Sequence, residues 1–181
     1  MLPTHQGYLF ISERLGFRSW QLEDIDPMYQ INSDEQVMEF FPALQTKEQT
    51  TAFIERMQKQ FKEKGFCYFA VDILETNEFI GFLGLSEQHY PAGFTPCVDI
   101  GWRLKRSAWN NGFATEGAKK CLEYAFEHLK IKEVYSIAPK VNLKSEYIMQ
   151  KIGMEKQYEF EHSLLANDDR LRTCVLYRIV E

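Results

Sequence analysis

Hydrophobic and polar positions change period along this chain, and the changes mark out its elements. "YLFISERLGFRSW" alternates as a first strand, and "LEDIDPMYQINSDEQVMEFF" breaks into short helical turns around Pro27 and Asn32-Ser33-Asp34. Thr46, with Gln49 three residues on, predicts a helix start, and Phe53, Ile54, Met57 and Phe61 give that helix an apolar stripe until Gly65. "FCYFAVDIL" and "FIGFLGLS", rich in β-branched and aromatic residues and separated by "ETNE", predict a hairpin. After a loop marked by Pro91, Gly93 and Pro96, "CVDIGWRL" predicts another strand.

From Gly112 the repeat lengthens from two residues to about 3.6. Ala114, Ala118, Cys121, Leu122, Ala125, Phe126 and Leu129 fall on one face, and Glu116, Lys119, Lys120, Glu123 and Glu127 on the other. "VYSIAP" then predicts a strand, "LKSEYIMQKI" a short helix closed by Gly153, and "YEFEHSLL" and "LRTCVLYRIV" two last strands around "ANDD". Hairpins at both ends and a strand–helix–strand unit between them define an α+β class. It holds a mixed, mostly antiparallel twisted sheet of about six or seven strands flanked by helices.

Composition narrows the picture. A chain of 181 residues with 45% apolar and 14% aromatic residues is long enough for one well-cored domain spanning 1–181. No stretch of about 18 uncharged apolar residues occurs, so no membrane association is expected. "MLPTHQGYLF" lacks the features of an export signal, which implies a cytoplasmic protein. Cys67, Cys97, Cys121 and Cys174 are scattered, without metal-ligand spacing, and are expected reduced with no metal bound. Lys and Arg are dispersed and the net charge is −5, which argues against a nucleic-acid partner and suits an amine-bearing one.

The stretch "WNNGFATEGAKK" carries the chemistry. A glycine at a helix mouth lets main-chain N–H groups point outward, where the helix dipole adds positive charge, and that arrangement holds phosphate. Two phosphate-loop templates fail. Gly112 and Gly117 have the spacing of GxxxxGK[ST], but Ala118 and Lys119 stand where Lys and a hydroxyl residue are required, and GxGxxG lacks its first glycines.

With the strand "VDIGWRL" before it, "WNNGFA" resembles motif A of the GNAT superfamily of acyl-CoA-dependent N-acyltransferases. Gly112 and Ala114 match the family signature, and Trp109 stands at its Gln/Arg position, as in the RimJ and RimL type of ribosomal-protein N-terminal acetyltransferases. Thirty residues after Gly112, "NLKSEYIMQKIGM" resembles motif B through Asn142, Ser145, Gly153 and Met154. The opening "ISERLGFRSWQLEDID" is similar to the first strand and turn of that subgroup, so the resemblance runs from about Leu9 to Val180.

The resemblance implies a GNAT-like fold with splayed central strands and acetyl-CoA as acyl-donor co-substrate. Backbone groups of Ile100, Trp102 and Leu104 would follow pantetheine, with Asn142 helping. N–H groups of Asn110, Asn111, Gly112, Phe113, Ala114 and Thr115 would surround the pyrophosphate. Arg103, Lys105 and Arg106 are nearby cations, for which a solvated strand end is an equal reading. A primary amine, on a protein or peptide N-terminus or a small molecule, would attack the thioester directly.

Asp99 matches the position of an acidic base, with Glu87 and His89 as rivals. The Tyr that protonates the leaving thiolate in much of the superfamily is replaced by Met149, which leaves Ser145 as first choice and Tyr147 as alternative. His5, His128 and His162 read as ordinary residues. A non-catalytic acyl-CoA-binding regulatory module is the competing reading, kept alive by Met149 and by Asp in place of Glu. Homodimers are common among similar proteins, but the sequence offers no heptad that would decide it.

Overall fold

The computed structural model describes residues 7–181, so the expectations for the export signal and for His5 lie outside the described residues. The described chain forms an eight-stranded sheet in the order β1-β2-β3-β4-β5-β6-β8-β7. The strands are β1 (Phe10–Ile11), β2 (Leu15–Arg18), β3 (Tyr68–Ile73), β4 (Glu78–Gln88), β5 (Cys97–Leu104), β6 (Glu133–Pro139), β7 (Glu155–Glu161) and β8 (Thr173–Val180). The helices are α1 (Ile25–Asn32), α2 (Lys47–Lys64), α3 (Phe113–Glu123) and α4 (Leu143–Lys151). The class is α+β, and the sheet is antiparallel except where β5 meets β6.

Two strands differ from the sequence reading. The opening run divides into β1 and β2 because the Ser12 hydroxyl accepts the Leu15 N–H at 3.1 Å and closes a turn inside the alternating pattern. At the other end, "YEFEHSLL" stops being a strand at Glu161. The His162 ring accepts the Leu164 N–H at 3.2 Å, and Ser163–Leu165 becomes a helical turn.

Local chemistry explains the helices. At α2 the Thr46 hydroxyl accepts the Gln49 N–H at 3.2 Å while the Gln49 side chain accepts the Thr46 N–H at 2.8 Å, the reciprocal cap that the two residues predict. α3 buries Phe113, Gly117, Ala118, Cys121 and Leu122. A Cβ on Gly117 would stand 2.5 Å from Leu83 Cδ1 and 3.2 Å from Leu15 Cδ1, so α3 lies close on the sheet face that carries Leu83. The opposite face carries Phe82, stacked on Tyr68 at 5.0 Å and 5.3 Å from Phe53 of α2. α1 and α2 cover that face.

The sheet has a seam. β5 and β6 run parallel but are paired only at Asp99 and Tyr135, after which the strands part. The Ser136 hydroxyl donates to the Ile100 carbonyl at 3.1 Å, just beyond the last paired position.

Candidate functional site

Where β5 and β6 separate, a cavity of about 450 Å³ opens. Trp102, Arg103 and Leu104 of β5 line one wall, Asn110 and Gly112 to Thr115 an end, and Asn142, Ser145, Tyr147 and Ile148 the other wall. Residues 36–41 cover it, through Gln36, Val37, Glu39, Phe40 and Phe41.

The glycine loop is built by its own side chains. The Trp109 indole donates to the Leu104 carbonyl at 2.8 Å and folds the chain back on the end of β5. The Asn111 amide donates to the Trp109 carbonyl at 2.9 Å. Asn110 at φ 60 and Gly112 at φ 79 both take left-handed backbone. α3 then begins at Phe113, and its first backbone bond runs from the Glu116 N–H to the Gly112 carbonyl at 3.0 Å. The N–H groups of Phe113, Ala114 and Thr115 precede that bond and have no intrahelical acceptor.

An acid in this first turn would repel phosphate, but Glu116 is turned away. Its carboxylate accepts from the Ser12 hydroxyl at 2.7 Å, from the Arg14 N–H at 2.8 Å and from the Arg14 guanidinium at 2.7 Å. Burial alone would raise its pKa, yet these bonds hold it below the usual carboxylate value.

Asn142 caps α4, its Oδ1 accepting the Ser145 N–H at 3.1 Å. Ser145 is half-buried on the cavity wall, whereas Tyr147 lines it at 59% exposure. Met149 is 1% exposed and belongs to the core. Lys144 lies 4.9 Å over the Trp109 ring and Lys151 5.1 Å over the Tyr147 ring; both line the cavity. Lys144, Ile148 and Lys151 repeat at i, i+4, i+7, a helical spacing the sequence displays and the motif comparison passed over. Backbone donors together with two cations fit a polyanionic acyl-CoA.

β5 contributes its edge. Asp99, Gly101 and Arg103 alternate with Ile100, Trp102 and Leu104, and the Ile100 bond to Ser136 shows that the second set turns its peptide groups toward the seam. The Ile100 carbonyl is taken by Ser136 and the Leu104 carbonyl by Trp109, so Trp102 is the residue that presents its peptide to the opening. Ile100 and Asn111 do not line the cavity themselves.

Asp99 sits at the root of the seam, 9% exposed and outside the cavity lining. Its Oδ1 accepts the Tyr68 hydroxyl at 2.6 Å, and the Gln88 amide donates to the Tyr68 oxygen at 3.2 Å. Burial raises the Asp99 pKa from 3.8 to about 6, against the lowering effect of hydrogen bonds from Tyr68, Gln88 and the Ser86 backbone. Burial also raises Tyr68 well above 10, so it stays a donor. Tyr68, 31 residues before Asp99, is a participant the sequence did not reveal.

The rivals lie elsewhere. Glu87 pairs with Lys64 at 3.2 Å and with His89 at 3.5 Å, apart from the cavity. His162 stacks on Tyr90 at 4.2 Å, where burial lowers its pKa, and His128 lies 5.5 Å from the Tyr124 ring. Lys105 pairs with Glu78 and Arg106 with Asp34, which leaves Arg103 as the member of that cationic trio that lines the cavity.

A strand edge beside a helix N-terminus, with the cleft of a parted parallel pair between them, defines an acyltransferase of a known kind. Residues 14–155 match the family model of the acetyltransferase (GNAT) domain. The chain belongs to that family and is an N-acetyltransferase. It is 27% identical over 151 residues to the uncharacterized N-acetyltransferase YnaD of Bacillus subtilis, covering 83% of this chain and 84% of that one.

Among solved structures, a GNAT-family acetyltransferase from Bacillus anthracis superposes with a TM-score of 0.79 at 24% identity, over 94% of this chain and 96% of that one. Spermidine N-acetyltransferase from Vibrio cholerae, in complex with CoA and spermine, superposes with a TM-score of 0.73 at 17% identity, over 92% and 95%. Both likenesses are of fold. No helix among the described residues is long and apolar enough to cross a membrane.

Proposed function

We propose that the whole chain is one catalytic domain of the RimJ and RimL type that transfers acetyl from acetyl-CoA to a primary amine. The observation that carries this reading is the shared cavity, lined at one end by the open N–H groups of α3 and along one wall by Ser145 and Tyr147. Acetyl-CoA supplies the acyl group, whose thioester carbonyl the neutral amine attacks, expelling CoA thiolate.

The chain's own groups do the rest. The N–H groups of Asn110 and of Gly112 to Thr115 hold the pyrophosphate, with Asn111 bracing the loop from outside the cavity, and Lys144 and Lys151 add charge to the same anion. The peptide edge of Trp102 and the Asn142 side chain align pantetheine. Asp99 receives the proton of the attacking amine through water. With a pKa near 6 it is ionised at neutral pH yet basic enough to serve. Glu87, tied to Lys64 and apart from the cavity, is the second candidate for that role. Ser145, at the N-terminus of α4, donates to the departing sulfur, and Tyr147 is the second donor in reach of the cavity.

The test is thiol release from acetyl-CoA by the purified protein against N-terminal peptides, amino acids, polyamines and aminoglycosides, beside direct binding of acetyl-CoA. Binding with turnover supports the enzyme. Binding without turnover on any amine favours a regulatory acyl-CoA-binding module, and absence of binding removes the cofactor site.

A further inference from the structure

Arg103 has more charge than partners. Its Nη1 donates to the Asn32 Oδ1 at 2.6 Å, and its Cζ lies 4.0 Å from the Phe41 ring centre and 5.4 Å from that of Phe82. No carboxylate among the described residues pairs with it, and its Nε is buried without a hydrogen-bond acceptor. Burial brings its pKa down to about 10. A guanidinium held between two rings and one amide oxygen is costly to bury unless something compensates it.

Its position says which ligand could. Arg103 pairs across the strands with Phe82, on the face covered by α1 and α2. α3 packs on the other face, against Leu83. The guanidinium therefore meets the cavity from the side opposite the helix that would hold the pyrophosphate, the side left for the acceptor. Nη1 is taken by Asn32 and Nε is enclosed, whereas Nη2 has no acceptor among the described residues, so on this cavity-lining side chain it is the nitrogen left to donate to a carboxylate in the cavity.

We propose that Arg103 is a specificity residue that selects amine acceptors carrying a carboxylate, an inference that rests on the acetyl-transfer reading above. An acceptor whose other groups are all ammonium, such as a polyamine, meets like charge at this point. An acceptor with a carboxylate neutralises the guanidinium and is oriented by it.

The experiment compares matched acceptors on the intact wild-type protein: a set of amino acids, the same amino acids as carboxamides, and spermidine, read by thiol release with acetyl-CoA saturating. Turnover is expected from members of the carboxylate set, with kcat/KM lower by about 10- to 100-fold for the matching amides. Arg103→Gln is expected to raise KM for the carboxylate acceptor by a similar factor and to erase the preference over the amide, while Arg103→Lys restores part of it.

Acetyl-CoA affinity, measured separately, is expected to stay within about twofold of wild type. Equal turnover of acids and amides, a preference for spermidine, or no turnover of any carboxylate by protein that binds acetyl-CoA would each overturn the proposal. So would an Arg103→Gln effect confined to acetyl-CoA affinity, which would assign the guanidinium to the donor. Failure to bind acetyl-CoA at all would strike the underlying function instead. The wild-type comparison stands even if the variant does not fold.

Discussion

Replacing Asp99 with Asn should make the protein more stable and less active, and both effects depend on pH. The ionised carboxylate is unfavourable where it sits. The interval from 3.8 to about 6, at about 1.4 kcal/mol per pH unit, amounts to about 3 kcal/mol at neutral pH. Below about pH 4 the folded and unfolded chains both keep the proton, and Asp99 costs nothing. Between about 4 and 6 only the folded chain keeps it, so stability is lost as pH rises through the folded value.

Asn carries no charge and can still accept from the Tyr68 hydroxyl, and the bond to the ionised carboxylate is already contained in the folded pKa. The net gain at pH 8 is about 3 kcal/mol, about 6 to 12 °C in Tm for a chain of this size. Calorimetric melts of both proteins from pH 4 to 8 measure it, because the difference between the two curves isolates this group. A variant less stable than wild type by the same amount at every pH would refute the argument. So would wild-type turnover by the variant at pH 7, since the proposed base would then have been removed without effect; the expected loss is about 100-fold.

Gly112→Val forces a β-branched residue into φ 79 at a point with open space around it, the nearest atom being Arg14 Nη2 at 3.5 Å. It should cost about 1–2 kcal/mol of stability and at least tenfold in acetyl-CoA affinity by titration; unchanged affinity would sink the phosphate-loop reading. Ser145→Ala should lower kcat by about tenfold or more with acetyl-CoA binding retained, most visibly well below pH 8.5, where the thiolate needs help to leave. If it keeps full turnover while Tyr147→Phe does not, the donor is Tyr147. Gly84→Ala would place a Cβ 2.2 Å from the Cys67 carbonyl oxygen, a backbone atom, and should lower the urea midpoint by the equivalent of about 3 kcal/mol or more.

What could be read from the sequence was local. The Thr46–Gln49 cap, the change of period at Gly112 and the Asn142 cap each depend on residues a few positions apart, and the folded chain has them as read. The turn at Ser12 was hidden because both of its flanks alternate like one strand. Tyr68 reaches Asp99 only through two successive antiparallel pairings, β3 with β4 and β4 with β5, so its role depends on register. Arg103, Lys105 and Arg106 look alike in the sequence. Glu78 and Asp34 take two of them, and only the tertiary structure says which is left without a carboxylate. Met149 was read as a missing acid, and its burial adds that a core position has taken that place.

The seam between β5 and β6 bears on aggregation as well as on ligand binding. An unpaired strand edge invites another polypeptide, and proteins usually guard such edges with charge or curvature. Beyond Asp99 this edge is guarded by location: α4 and the Gln36–Phe41 cover stand over it, and the Trp102 peptide opens into a cleft instead of onto the outer surface. A strand from a neighbouring molecule would have to displace that cover before it could pair. A slender ligand with amide groups of its own would not.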